Sequence, residues 1–158
     1  MASLDIADDR LHHLARDMTS RAVTAVGLAG IALIHLLDSI GKYDETRYLF
    51  WLYVALMVSS LALAGLLLHT RRRAVWLGAA ALAASAIAGY VINRTVGLPS
   101  AHDDIGNWTE PLGLAALFVE GAVVVAGLYG YAVAGRSVAA TAPARAAAHG
   151  SRLQTTSA

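Results

Sequence analysis

The sequence predicts an all-α fold: a four-helix transmembrane bundle with cytoplasmic N- and C-termini, a short N-terminal amphipathic helix and a disordered C-terminal tail. Three observations lead there. Of the 158 residues 57% are hydrophobic and only 15% charged, with a mean hydropathy of +0.55, whereas a soluble domain carries about a quarter charged residues. The apolar residues gather into runs that approach or exceed the roughly 20 residues needed to cross about 30 Å of hydrocarbon. Polar groups interrupt those runs at few places, namely His35, Asp38, Asn93, Arg94 and Glu120.

Residues 1–21 form a juxtamembrane segment. Leu4, Leu11, Leu14 and Met18 fall near helical spacing, with His12, Arg16 and the aspartates mostly elsewhere, which suits a short amphipathic helix lying on a membrane surface. Asp5, Asp8, Asp9 and Asp17 leave no apolar signal-peptide core there, so the first span is expected to act as an uncleaved anchor. The transmembrane domain is expected over 22–134. Its first span covers about 22–40 and ends at a polar turn from Gly41 to Glu45. The second covers about 48–68, opens on Tyr48, Phe50, Trp51 and Tyr53, and is stopped by Arg71, Arg72 and Arg73. The third covers about 74–92 and is rich in alanine. A loop from Arg94 to Glu110 follows, and Pro111 suits the first turn of a fourth span over 111–134. From 135 to 158 the Ala/Ser/Thr-rich composition predicts disorder.

Orientation follows from the basic residues in short flanks and loops. Nine of the twelve (Arg10, Arg16, Arg21, Arg71, Arg72, Arg73, Arg136, Arg145 and Arg152) lie on the side of the termini, against Lys42, Arg47 and Arg94 opposite. Both ends of the chain are therefore expected on the cytoplasmic side of the cell membrane, as a multi-pass protein. A net charge of +1 and the lack of basic-aromatic interleaving argue against nucleic acid as a partner. The absence of cysteine excludes disulfides, iron–sulfur ligation, thiolate zinc sites and cysteine nucleophiles. Walker-type, GxSxG and HExxH motifs are also missing. The expected partners are the lipid bilayer and either another membrane protein or a second copy of this chain. Small residues that let helices approach, such as Gly27 and Gly30 or the stripe Ala81, Ser85, Gly89, are compatible with either.

In this topology the interrupting polar groups share one end of the bundle. At about 1.5 Å per residue, His35 lies roughly 8 Å and Asp38 about 3 Å below the outer end of the first span, and Glu120 roughly 13 Å below that of the fourth. His35 and Asp38, three apart, share a helical face. An ionisable group in hydrocarbon costs a few kcal/mol or more, which marks it as functional unless a partner satisfies it. Arg94 is expected to pair with Asp38 or Glu120, either as a polar clasp between helices or as part of a site in which Glu120, Asp38 and His35 do general acid or proton-relay work. Asn93, His102, Asp103, Asp104, Trp108 and Glu110 are further candidates for structure or ligand binding. Trp108 would be an interfacial anchor, and Asn107 or Thr109 the cap of the fourth helix. His35, Glu120 and His102 are the only plausible metal ligands, and no motif identifies a cofactor.

The run RTVGLP, followed by DDIGNW-x-EPLG and FVEG, with IHLLD and YLFWLYV upstream, resembles the signature of small prokaryotic four-span membrane proteins of uncharacterised function. The resemblance covers roughly Ala22 to Ala134. It implies no activity, only that His35, Asp38, Arg94, the 97–113 loop and Glu120 form one recurring constellation. Three functions stay open: a non-enzymatic accessory component that handles a ligand, an ion or a proton; a membrane-embedded enzyme using Glu120 or Asp38 as general acid on a lipid or isoprenoid substrate; and a transporter, which four short helices would support only as an oligomer.

Overall fold

The computed structural model describes the backbone of residues 2–40 and 42–155, and the side chains of residues 8–135 apart from 9, 10, 13 and 41. It is all-helical, with α1 (Ala2–Asp38), α2 (Lys42–Glu45), α3 (Arg47–His69), α4 (Arg73–Thr95) and α5 (Pro111–Thr155), plus one 3₁₀ turn at His102–Asp104. Within these, Leu14–Asp38, Arg47–His69, Arg73–Thr95 and Pro111–Gly135 are long and apolar enough to cross a membrane, with mean hydropathies of 1.7 to 2.1.

Two boundaries differ from the sequence reading. The N-terminal amphipathic segment is not a separate helix but the first turns of α1, which runs unbroken to Asp38. No glycine or proline lies between 2 and 26 to interrupt it. At the other end, the backbone of α5 continues as helix to Thr155, where the sequence suggested a disordered tail. Alanine, the strongest helix former, dominates that stretch. Its side chains from 136 onward lie outside the described residues.

The four long helices form a ring in which α1 packs on α3 and α5, and α4 on α5 and, most sparsely, on α3. The core sits towards the end that carries the termini. Leu28, Ile31, Leu67, Trp76, Ala79, Ala83 and Val123 are buried there as one cluster. Small residues set the spacing. Gly27 and Gly30 of α1 face Val123 and Val119 of α5. On the other side of α5, a Cβ at Gly130 would collide with the Trp76 ring, so the indole fits only because that position is bare. The stripe Ala81, Ser85, Gly89 does not pack: Ala81 and Ser85 are exposed and a Cβ at Gly89 would meet nothing within 4 Å. The helices meet instead through Ala79, Ala80 and Ala83, on another face of α4.

Arg21 closes this end. Its guanidinium donates to the carbonyls of Leu67 (2.8 Å) and Thr70 (2.6 Å) at the C-terminus of α3, pairs with Asp17 at 3.0 Å and lies 5.6 Å from the Trp76 ring centre. It thus satisfies helix-end carbonyls that would otherwise be orphaned in an apolar setting.

Candidate functional site

The loop end of the bundle is built differently. Between α1, α3, α4 and α5 lies a cavity of about 380 Å³, within the size range of small-molecule sites. His35 and Asp38 reach it from α1, Tyr53 from α3, Tyr90, Asn93 and Arg94 from α4, and Glu120 from α5. Leu49, Leu52, Leu56, Ala86, Leu112 and Ala116 supply apolar wall between them.

The 96–110 connection roofs the cavity and is pinned on two sides. Gly97, left-handed at φ +80°, ends α4 and returns its N–H to Ile92. Asn93 donates to Asp104 Oδ2 (2.9 Å) and accepts from the Leu98 N–H (3.2 Å). Arg94, 7% exposed, holds Asp104 Oδ1 at 2.7 Å, the Asp104 carbonyl at 3.1 Å and Glu110 Oε2 at 3.6 Å, with its guanidinium 5.1 Å from the Tyr90 ring centre. On the α3 side, Tyr48 donates to the Pro99 carbonyl (2.7 Å) and Thr46 to that of Ser100 (3.2 Å). Burial pushes the Asp104 carboxyl up, but the hydrogen bonds from Asn93 and Arg94, with the charges of Arg94 and Lys42, outweigh it and hold the group below the usual carboxylate range. For Lys42 burial pulls downward, and its contact with Glu45 at 3.1 Å more than offsets this, leaving the ammonium above its ordinary value.

The expected partnership of Arg94 is corrected by this geometry. Arg94 turns up into the loop towards Asp104 and Glu110, and not down to Asp38 or Glu120. The loop carbonyls and carboxylates lie next to its own turn, whereas Glu120 is about two helical turns deeper on α5. The helix cap is also corrected. Glu110, not Asn107 or Thr109, caps α5, its carboxylate accepting from the N–H groups of Leu112 (3.0 Å) and Gly113 (2.6 Å).

Deeper in the cavity, His35 Nδ1 lies 2.9 Å from the Ile31 carbonyl. A carbonyl can only accept, so Nδ1 carries the hydrogen and the lone pair of the neutral ring sits on Nε2. That atom faces Glu120 Oε1 at 3.7 Å, just outside hydrogen-bond range. Glu120 is 1% exposed, and its Oε2 has no hydrogen-bond partner among the described residues. The His35 ring packs edge-on against Tyr53, centroids 5.1 Å apart, and the Tyr53 hydroxyl lies beside the Asp38 carboxyl. Among the described residues Asp38 makes no ion pair within 4.0 Å.

Of the residues singled out from sequence, the fold thus gathers His35, Asp38, Asn93, Arg94, Asp104, Glu110 and Glu120 around one space. His102, Asp103 and Trp108 stay outside it. The first two are exposed, and Trp108 rests on Tyr90 at the rim, ring centroids 6.0 Å apart. With His102 elsewhere, the set His35, Glu120, His102 does not converge. No group of three or more His, Cys, Asp or Glu placed to hold a metal exists among the described residues. Tyr53, Tyr90 and Lys42 line the cavity without having been singled out. Tyr53 carried a signal, being a hydroxyl in the outer half of a mostly apolar span, near the depth of His35.

No family model, curated protein or solved structure matches this chain. Fold and site together define a class: an all-helical bundle of four helices able to span a membrane, with an acid-lined cavity at its loop end.

Proposed function

We propose that the chain is a multi-pass protein of the prokaryotic plasma membrane, with both termini cytoplasmic, that binds a small ligand in its outward-facing cavity and handles a proton at the cavity floor through Glu120 and His35. One observation carries this reading: buried Glu120, whose Oε2 has no partner among the described residues, lies with its other oxygen 3.7 Å from His35 Nε2 on the wall of a cavity large enough for a ligand. A polar clasp would leave the acids mutually satisfied and the space filled. The arginine distribution supports the orientation, since nine of twelve basic residues lie at the closed end. The constellation of His35, Asp38, Arg94, the 97–113 loop and Glu120 is proposed as a functional unit on this geometry.

A second reading has a specific observation behind it. The mostly apolar walls beside Glu120 and His35 would also suit a membrane enzyme that uses Glu120 as general acid on a lipid or isoprenoid substrate.

Infrared difference spectroscopy on the detergent-purified protein tests the proton role. The expected result is a carboxylic C=O band that responds to pH or to added ligand and is lost in Glu120→Gln. A band that survives the substitution, or none at all, removes Glu120 from the proposal. Optical and elemental analysis of the same sample reads any cofactor directly.

A further inference from the structure

We infer that the ligand is a single-chain amphiphile with a protonated amine head, and that it enters sideways from the outer leaflet through the seam between α3 and α4. The inference rests on the membrane placement and the ligand-binding reading proposed above.

The entry route follows from where the cavity wall is open. Of the residues that line the cavity, the two exposed ones are Leu52 of α3 and Ser85 of α4. They belong to α3 and α4, which make the sparsest contact between neighbouring helices of the ring. The adjoining wall of α4 is Ala86 and Gly89, and a Cβ at Gly89 would touch nothing, so no bulky side chain fills the seam. At 1.5 Å per residue, Leu52 lies roughly 8 Å and Ser85 roughly 15 Å from the loop ends of their helices. That depth belongs to hydrocarbon and not to water. From above, the 96–110 connection stands over the cavity. The roof is tied to α3 through Tyr48 and Thr46 and to α4 through Asn93 and Arg94.

The chemistry of the ligand follows from what the cavity offers. Leu52, Leu56 and Ala86 at the mouth suit a hydrocarbon chain. The lining carries four acids, Asp38, Asp104, Glu110 and Glu120, against the cations Lys42 and Arg94. Both cations are already engaged, Lys42 with Glu45 and Arg94 with Asp104 and Glu110. An anionic head would therefore meet the carboxyls of Asp38 and Glu120 and, on the cavity lining, no cation without a carboxylate partner, the one unpartnered cationic donor there being the Arg94 Nε–H. A cationic donor would find Asp38, which has no ion pair, and Glu120 Oε2, which has no hydrogen bond among the described residues, and satisfying that buried oxygen would remove a standing penalty. The volume holds at least a dozen water-sized units, taking roughly 30 Å³ for each, enough for a head and the first methylenes of a chain whose tail stays in the bilayer.

The test uses the full chain in phosphatidylcholine vesicles with spin-labelled stearylamine, and spin-labelled stearic acid as the anionic counterpart. A saturable immobilised signal approaching one label per chain is expected for the amine and not for the acid. Ser85→Trp, which plugs the mouth, should weaken amine binding at least tenfold, and Asp38→Asn with Glu120→Gln should do the same through the head. Leu52→Trp plugs the same seam from α3 and replaces Ser85→Trp if the latter melts early. Equal immobilisation of amine and acid would overturn the inference, as would binding unchanged in a plugged variant that melts like the parent. Water-soluble propylamine separates the two levels. If it raises the melting temperature while no stearylamine is immobilised, ligand binding stands and lateral entry of an amphiphile fails. If neither amine has any effect, both fall.

Discussion

At the end that carries the termini, Trp76 fits over bare Gly130, Leu28 and Leu67 are fully buried, and Arg21 satisfies the last carbonyls of α3. At the loop end the same four helices stand around a hollow, with a histidine, two tyrosines and four acids on its walls. Alanine content alone does not cause the difference, because alanine occurs in both halves of α4 and of α5. What differs is which residues face inward. A cavity not filled by side chains forgoes the close side-chain contacts that a packed core makes, and a buried carboxyl oxygen without a protein partner adds a further cost. A fold can keep such a region only when its stability comes from elsewhere, a division common at functional sites. Here the closed end supplies packing, and the loop end is held by polar ties across its roof.

That division can be broken at several points. The largest effect is expected from Trp76→Ala, about 3–5 kcal/mol, read as thermal or denaturant unfolding in mild detergent; a loss below about 1 kcal/mol would mean that the closed end does not anchor the bundle. Arg94→Ala comes next at roughly 2–3 kcal/mol, reduced from a fully buried pair because Asp104 is partly exposed. Its double mutant with Asp104→Ala should be non-additive by about 1 kcal/mol or more, while that with Asp38→Asn should be additive. The reverse pattern would return Arg94 to the bundle interior. Two glycines sharpen the contrast directly. Gly130→Ala should cost about 1–3 kcal/mol through overpacking on Trp76, whereas Gly89→Ala at the hollow seam should gain about 0.5–1 kcal/mol from helix propensity.

The smallest effect is a pH dependence confined to the roof. Asp104 titrates below its unfolded value of about 3.9, so its contribution is complete above that pH and is lost as the pH falls through the lower folded value. Melting curves should therefore fall off below about pH 4, and Asp104→Asn should flatten that decline while lowering stability at neutral pH. An unchanged acid limb in the variant would assign the loss to other carboxylates.

The gathering of His35, Asp38 and Glu120 at one end was legible because span length and basic flanks set the depth of every residue, at a known rise per residue. The angle about each helix axis was less legible. In an alanine-rich helix many faces look alike, so Ala81, Ser85 and Gly89 read as a packing stripe although Ala79, Ala80 and Ala83 make the contact. Partner choice was hidden for another reason. Arg94 had acids within reach both below and above, and only the path of the 96–110 connection, set by Gly97 and the ties to Tyr48 and Thr46, brought Asp104 to it first.

The order of residues alone decided that there are four membrane-length helices and which end of them is polar, because hydrophobic length and depth along a helix are one-dimensional properties. Tertiary structure decided that this polar end is hollow, that its arginine serves the roof, and that Glu120 faces His35 without a closer partner. Those outcomes depend on rotation and separation of neighbouring helices, which are fixed by where small residues make room: Gly127 for the backbone of α4 at Trp76 and Ala80, Gly130 for the Trp76 ring and Gly27 for Val123.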